Sequence, residues 1–151
     1  MANGNSLCSG RSANLHCLKE NFPELYLTNY DLFWKILHDA TKKLKDHKNI
    51  SNIVDFMELS TVIDGNAEVT EFFSKICEEF CVSNPKLCLE SLINLDDESK
   101  KSVLDRLRNP IYLSKNKIDN VFEKNKAIKK YQKIVSLYFK DQTEEPPAKT
   151  K

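Results

Sequence analysis

The sequence predicts an all-α protein: a compact array of six or seven short antiparallel helices, stacked in a solenoid-like way or gathered into an irregular bundle. Three observations carry this. Apolar residues recur at intervals of three and four through the segments between residues 28 and 139, the spacing that lines one face of a helix. Only 3 glycines and 5 prolines occur in 151 residues, too few for the glycine-dependent hairpins of a many-stranded β fold. The breaks between apolar stripes fall at Asn, Asp, Ser and Pro, residues that start helices.

Residues 1–20 are rich in Asn, Ser and Gly and read as a loose N-terminal arm unless Cys8 and Cys17 tie it down. Leu15, Leu18 and Phe22 can form a short docking helix that stops before Pro23, because the residue before proline disfavours helix. A single helical domain is expected over 21–140. Thr28, with Asp31 three residues on, caps a helix whose stripe is Tyr30, Phe33, Trp34, Leu37, Thr41 and Leu44. Trp34, the only tryptophan, is assigned to the core by its size. Lys42, Lys43, Lys45 and Lys48 finish this helix where its dipole is negative. Asn49 or Ser51 opens the next, with Ile50, Ile53, Val54, Met57 and Thr61 in register, and Asp64-Gly65-Asn66 closes it.

The central stretch follows. Val69, Phe72, Phe73, Ile76, Cys77, Phe80 and Cys81 form one wide face. Ser83-Asn84-Pro85 ends that helix and starts another, carrying Leu87, Cys88, Leu89, Leu92 and Ile93. Asp96 and Asp97 punctuate again before Val103, Leu104 and Leu107, and Asn109-Pro110 ends the run. Ser114 caps the last segment, whose stripe runs from Ile118 through Val121, Phe122, Ile128, Tyr131 and Val135 to Tyr138, with a break near Asn125. Residues 141–151 have no apolar anchor and read as a disordered tail.

Formal net charge is +1, from 23 basic and 22 acidic residues. That gives no global electrostatic case for a nucleic-acid partner. No apolar run approaches the ~18–20 residues of a membrane span. The N-terminus lacks the basic start and apolar core of a signal peptide, so an exported reading supposes a leader absent from this chain.

Five cysteines are many for a chain of this size in a reducing compartment. Cys8 and Cys17 can close a small loop. Cys81 and Cys88 sit nearly symmetrically about the Asn84-Pro85 turn, where an antiparallel hairpin makes its two helices face each other. Cys77 is then left over. The competing reading makes Cys77, Cys81 and Cys88 reduced, small apolar core residues. The first reading favours a periplasmic or secreted protein, the second a cytoplasmic one.

Catalytic and metal chemistry find little support. His16, His38 and His47 are scattered. Cys77, Cys81 and Cys88 give one closely spaced pair and no evident fourth ligand, short of a structural zinc set. Cys77 and Cys81 lie among phenylalanines and beside Glu78 and Glu79, which opposes a thiolate nucleophile. Ser114-Lys115-Asn116-Lys117 matches an S-x-x-K pattern, but its partner motifs are missing and Ser114 reads better as a helix cap. No cofactor and no metal site is expected. The nearest thing to a binding surface is the basic run Lys124, Lys126, Lys129, Lys130 and Lys133, with Tyr131 and Tyr138 interleaved, which would meet an anionic partner, lipid headgroups or an acidic protein; a solvated face is its plain alternative.

The stretch GNAEVTEFFSKICEEFCVSNPKLCLESLINLDDESKKSVLDRL resembles uncharacterised exported bacterial proteins with armadillo- or HEAT-like helices. In those, a Gly-Asn turn leads an FF-containing helix, then Asn-Pro, then an acidic turn. The resemblance implies a bacterial, periplasmic helical protein. The expected function is a monomeric, non-enzymatic interaction or scaffold module whose partner is another protein. The alternative is a carrier of a small apolar ligand in a cavity lined by Tyr30, Trp34, Phe72, Phe73 and Phe80.

Overall fold

A computed structural model of the chain describes residues 7–144. The expected all-α fold is what forms: among the described residues there are nine α-helices and three short 3₁₀ turns. Two helices come from the segment before residue 28. α1 (Leu15–Asn21) is capped by the Asn14 side chain, which accepts the Cys17 N–H at 2.9 Å, and α2 (Glu24–Thr28) begins directly after Pro23. The stretch from Leu7 is not loose. A Cys8–Cys17 disulfide closes it, and Cys8 and Leu18 are buried. Thr28 does not cap the first long helix; it ends α2, its hydroxyl bonded to the Glu24 carbonyl. The cap of α3 (Tyr30–Asp46) is Asn29, which accepts the Leu32 N–H. Asparagine is the stronger capping residue of the two.

α4 (Ile50–Met57) is capped by Asn49 and runs into a 3₁₀ turn at Glu58–Thr61. Gly65, at φ 93°, takes the left-handed turn that no side chain favours. Asn66 then caps α5 (Ala67–Ser83) through the Val69 N–H. α6 (Pro85–Asn94) opens with proline at its first position. Asp96 caps α7 (Asp97–Arg108) and Ser114 caps α8 (Lys115–Glu123), each side chain accepting the N–H three residues on. The break near Asn125 is present: α8 stops at Glu123, a 3₁₀ turn covers Lys129–Tyr131, and α9 (Gln132–Glu144) follows. The helix thus enters the segment expected to be a tail, and 145–151 lie outside the described residues.

α6 is the hub. It packs against α4, α5, α7, α8 and α9, and Cys88, Leu89 and Leu92 on it are fully buried. In a solenoid each repeat touches only its neighbours, so the arrangement is an irregular bundle around α6. Phe73 of α5 lies at its centre, stacked on Phe56 with ring centroids 5.0 Å apart. No helix among the described residues is long and apolar enough to cross a membrane.

Candidate functional site

The residues expected to form a binding surface are not one surface. Tyr131 and Tyr138 belong to the core. Tyr138 stacks on Phe122 at 3.8 Å and donates its hydroxyl to Asp119 at 2.7 Å; burial, then that hydrogen bond, pushes its pKa up. Tyr131 donates to Glu90 at 2.9 Å. The stripe that read as aromatic interleaving is the buried face of the C-terminal segment. Of the lysines, Lys126 pairs with Glu123 and Lys130 with Glu90 at 3.0 Å. The Lys130 hydrogen bond, followed by that of Tyr131, holds the Glu90 carboxyl below its ordinary range. Lys129 and Lys133 are exposed.

Charge without compensation gathers elsewhere, around the turn between α5 and α6. The turn is rigid for three reasons. The Asn84 side chain donates to the Phe80 carbonyl and so closes α5 instead of capping α6. Pro85 fixes the first φ of α6. A Cys81–Cys88 disulfide joins the two helices, with Cα atoms 5.0 Å apart.

Three adjoining depressions surround it. The first, about 410 Å³, lies between the C-terminal halves of α3 and α5; Leu44, Ile76 and Phe80 line it, with Lys45, Lys48 and Glu79. The second, about 250 Å³, lies against α8, with Lys117 and Lys124 beside Val82 and Pro85. The third, about 450 Å³, joins them: it shares Asn84 with the first and Pro85, Lys124 and Asn125 with the second, and adds Lys86 and Leu87. Five lysines and a single carboxylate line this face, and all five lysines are exposed.

None of the five is in an ion pair among the described residues, whereas Lys35, Lys42, Lys101 and Lys115 each pair with an aspartate one turn further on. The sequence carries the reason. Lys45, Lys48, Lys117 and Lys124 have no acidic residue three or four positions away on either side, the spacing at which helix side chains meet. Lys86 has Glu90 four residues on, but Lys130 and Tyr131 occupy that carboxylate.

At the other end of α5 stands an aromatic cluster. Tyr26 and Tyr30 donate to the two oxygens of Glu68, at 2.5 and 2.7 Å. Tyr30, Trp34, His38 and Phe72 follow edge to face, with centroids 5.2–6.2 Å apart. Trp34 is only partly buried, and Tyr30 is 47% exposed. The aromatic residues expected to line one cavity are spread out: Phe73 is in the core, Phe80 lines the first depression, and Tyr30, Trp34 and Phe72 fill the space between α3 and α5 themselves. Halfway along, the buried Glu78 carboxylate accepts the backbone N–H groups of Ile111, Tyr112 and Leu113 at 2.8–3.0 Å and straps that loop to the body.

Cys77 is the free cysteine among the described residues, and it is buried. Burial pushes its thiol up to about 12 against the lowering effect of Arg106, so its chemistry is that of a small apolar core residue. His16 pairs with Glu20 on the surface. No group of three or more His, Cys, Asp and Glu among the described residues is placed to hold a metal. Comparison with known protein families, characterised proteins and solved structures finds no match for the chain.

Proposed function

We propose that this protein is a non-enzymatic helical interaction module of an oxidising compartment, and that the lysine-rimmed face around the α5–α6 turn meets its partner. The observation that carries the reading is that Lys45, Lys48, Lys86, Lys117 and Lys124 form no ion pair among the described residues, in a chain whose total charge is only +1. Like charges gathered without counter-ions repel one another, and an anionic partner relieves that repulsion. The recessed apolar residues beneath them add area to bury. The bacterial, periplasmic setting that the sequence resemblance implies belongs to the same proposal, and the two disulfides support it because such bonds persist outside reducing compartments.

Amide chemical shifts followed during titration with polyglutamate, at about 0.15 M ionic strength, test the surface. Shifts confined to residues lining the three depressions are expected. A response centred on Lys129 and Lys133 would place the partner on the run first read from the sequence. A second reading, a carrier of a small apolar ligand, is favoured by the size of the first depression, which falls within the ~300–1,000 Å³ of ligand pockets. Uptake of decanoate with shifts only at Leu44, Ile76 and Phe80 would select it.

Alkylation with intact-mass measurement tests the compartment. In denaturant without reductant, only Cys77 of the protein isolated from its source should react, because the other four cysteines are bridged. Five reactive thiols would remove the support for export.

A further inference from the structure

We infer that the lysine-rimmed face recognises an acidic segment of another protein, which seats one bulky apolar side chain in the depression between α3 and α5 and lays its carboxylates along the lysines. The inference rests on the reading of this face as the partner surface, and four features point to this occupant.

The first is charge: five lysines with no ion pair among the described residues, gathered on one face of a chain whose total charge is only +1, select an anion. The second is relief. The large apolar side chains that protrude from the molecule are Leu27, Tyr30, Ile111 and Tyr112, and none lines the three depressions. Here the apolar groups are recessed: Leu44 and Phe80 are buried and Ile76 is partly so. A protein that inserts into a membrane surface uses apolar groups that reach outward into it. A recessed apolar floor needs a partner that reaches inward, which a protruding side chain does.

The third is the placement of Glu79. It lies on the α5 side of the same depression as Lys45 and Lys48, so a charged group entering there meets repulsion as well as attraction. An uncharged side chain enters without that penalty, and the carboxylates on either side of it reach Lys45 and Lys48 in one direction and Lys86 and Lys124, past Asn84, in the other. The fourth is the choice of cation. No arginine lines the face. Arginine reads carboxylate or phosphate through a fixed two-pronged fork, whereas lysine is a mobile point charge. Recognition therefore depends on the density of negative charge and on the one apolar anchor, with little demand on the exact sequence between them.

Isothermal titration at about 0.15 M ionic strength with two glutamate-rich peptides decides it. They differ only in a central phenylalanine or serine; phosphatidylglycerol vesicles serve as a third probe. The phenylalanine peptide should bind about tenfold or more tightly than the serine peptide, the ratio expected for burying an aromatic side chain. Binding should weaken steeply with salt. The K45E/K48E/K124E variant should lose both peptides by more than about tenfold while keeping its circular dichroism and melting temperature, because the three side chains are exposed. The variant Ile76→Ser should remove the preference for phenylalanine and leave the serine peptide unchanged. Equal affinity for the two peptides overturns the apolar anchor and leaves the charged partner surface standing. Tight binding to the vesicles with none to the peptides overturns the inference in favour of a lipid surface. Absence of binding by all three probes overturns both this inference and the partner surface beneath it.

Discussion

At its N-terminal end α5 presents Glu68, whose carboxylate is gripped by the hydroxyls of Tyr26 and Tyr30; at its C-terminal end it presents Phe80, Ser83 and Asn84 to a depression lined also by Lys45, Lys48 and Glu79, whose two lysines are in no ion pair among the described residues. Residues of α3 and α5 take part in both sites, joined by Tyr26 of α2 at the first. Residues 30 and 34 of α3 meet 68 and 72 of α5. Residues 41, 44, 45 and 48 lie across from 76, 79, 80 and 83. In the first half large rings fill the space, and the Glu68 carboxylate beside them has its partners within the chain. In the second half the facing side chains are Thr41, Leu44 and Ile76, which leave a depression, and Lys45 and Lys48 at its rim are in no ion pair among the described residues. A surface whose polar groups are satisfied internally gains little from a partner. One whose charges are unmatched gains more. This difference, and not the number of exposed aromatic groups, singles out the C-terminal end.

The comparison requires α5 to be one rigid rod, and Phe73 is what fixes it. Its side chain is fully buried, stacked on Phe56 and covered by the Arg106 guanidinium at 5.4 Å. Replacing Phe73 with Ala should cost about 3–5 kcal/mol in urea denaturation, as large-to-small core changes do. Both ends of α5 should lose hydrogen-exchange protection together. A loss of under about 1 kcal/mol, the scale of a surface change, would mean that the middle of α5 does not couple its ends, and the contrast between them would have no common frame.

Removing the Cys81–Cys88 bridge acts on one end only. The closed loop is short, with a sequence separation of 7, and the chain-entropy relation for such a loop gives about 2–3 kcal/mol. The Cys81→Ala/Cys88→Ala variant should lose that amount by chemical denaturation and bind polyglutamate more weakly, since Lys86, Lys117 and Lys124 are then less firmly held relative to Lys45 and Lys48. Unchanged binding would show that Asn84 and Pro85 hold the turn by themselves.

Much of this was legible in the residues. The caps at Asn49, Asn66, Asp96 and Ser114 and the breaks at Asn84-Pro85 and Asn109-Pro110 are local signals, and local hydrogen bonding decides them. The pairing of Cys81 with Cys88 followed from symmetry about a turn, which is also local. The start of α3 was misplaced by one residue because Thr28 and Asn29 are both competent caps and only the fold of α2 chooses between them. The grouping of Tyr131 and Tyr138 with the basic run failed for a different reason, since both rings are buried. A run of lysines in the sequence is a one-dimensional density, while an unmatched charge depends on which carboxylates reach it. Glu90, far from Lys130 in sequence, neutralises it across two helices; Lys45 and Lys124 are brought to adjoining depressions by a packing that no local pattern encodes.

The smallest effect expected belongs to the satisfied end of α5, and its pH dependence has a definite shape. The hydrogen bond from Tyr26, then that from Tyr30, holds the Glu68 carboxyl below its ordinary value of 4.5. A carboxyl lowered on folding contributes stability that is present above its unfolded pKa and is lost as pH falls through its folded one, because there the unfolded chain binds more protons. The same bonds raise both tyrosines above their ordinary value of 10.0, with Glu68 the first cause for each. A tyrosine raised on folding contributes stability below that value and loses it as pH climbs through the folded pKa. One interaction is therefore bounded on both sides: a plateau across neutral pH, falling below about 4.5 and above about 10. The difference in urea midpoint between the native chain and a Tyr26→Phe/Tyr30→Phe variant, measured from acid to alkaline pH, isolates it from every other titrating group. The difference should be level near neutrality and shift toward the variant at both extremes. A difference independent of pH would mean that Glu68 is not held by the tyrosines in solution. The N-terminal end would then carry an unmatched charge of its own, and the contrast with the lysine-rimmed end would lose one of its two terms.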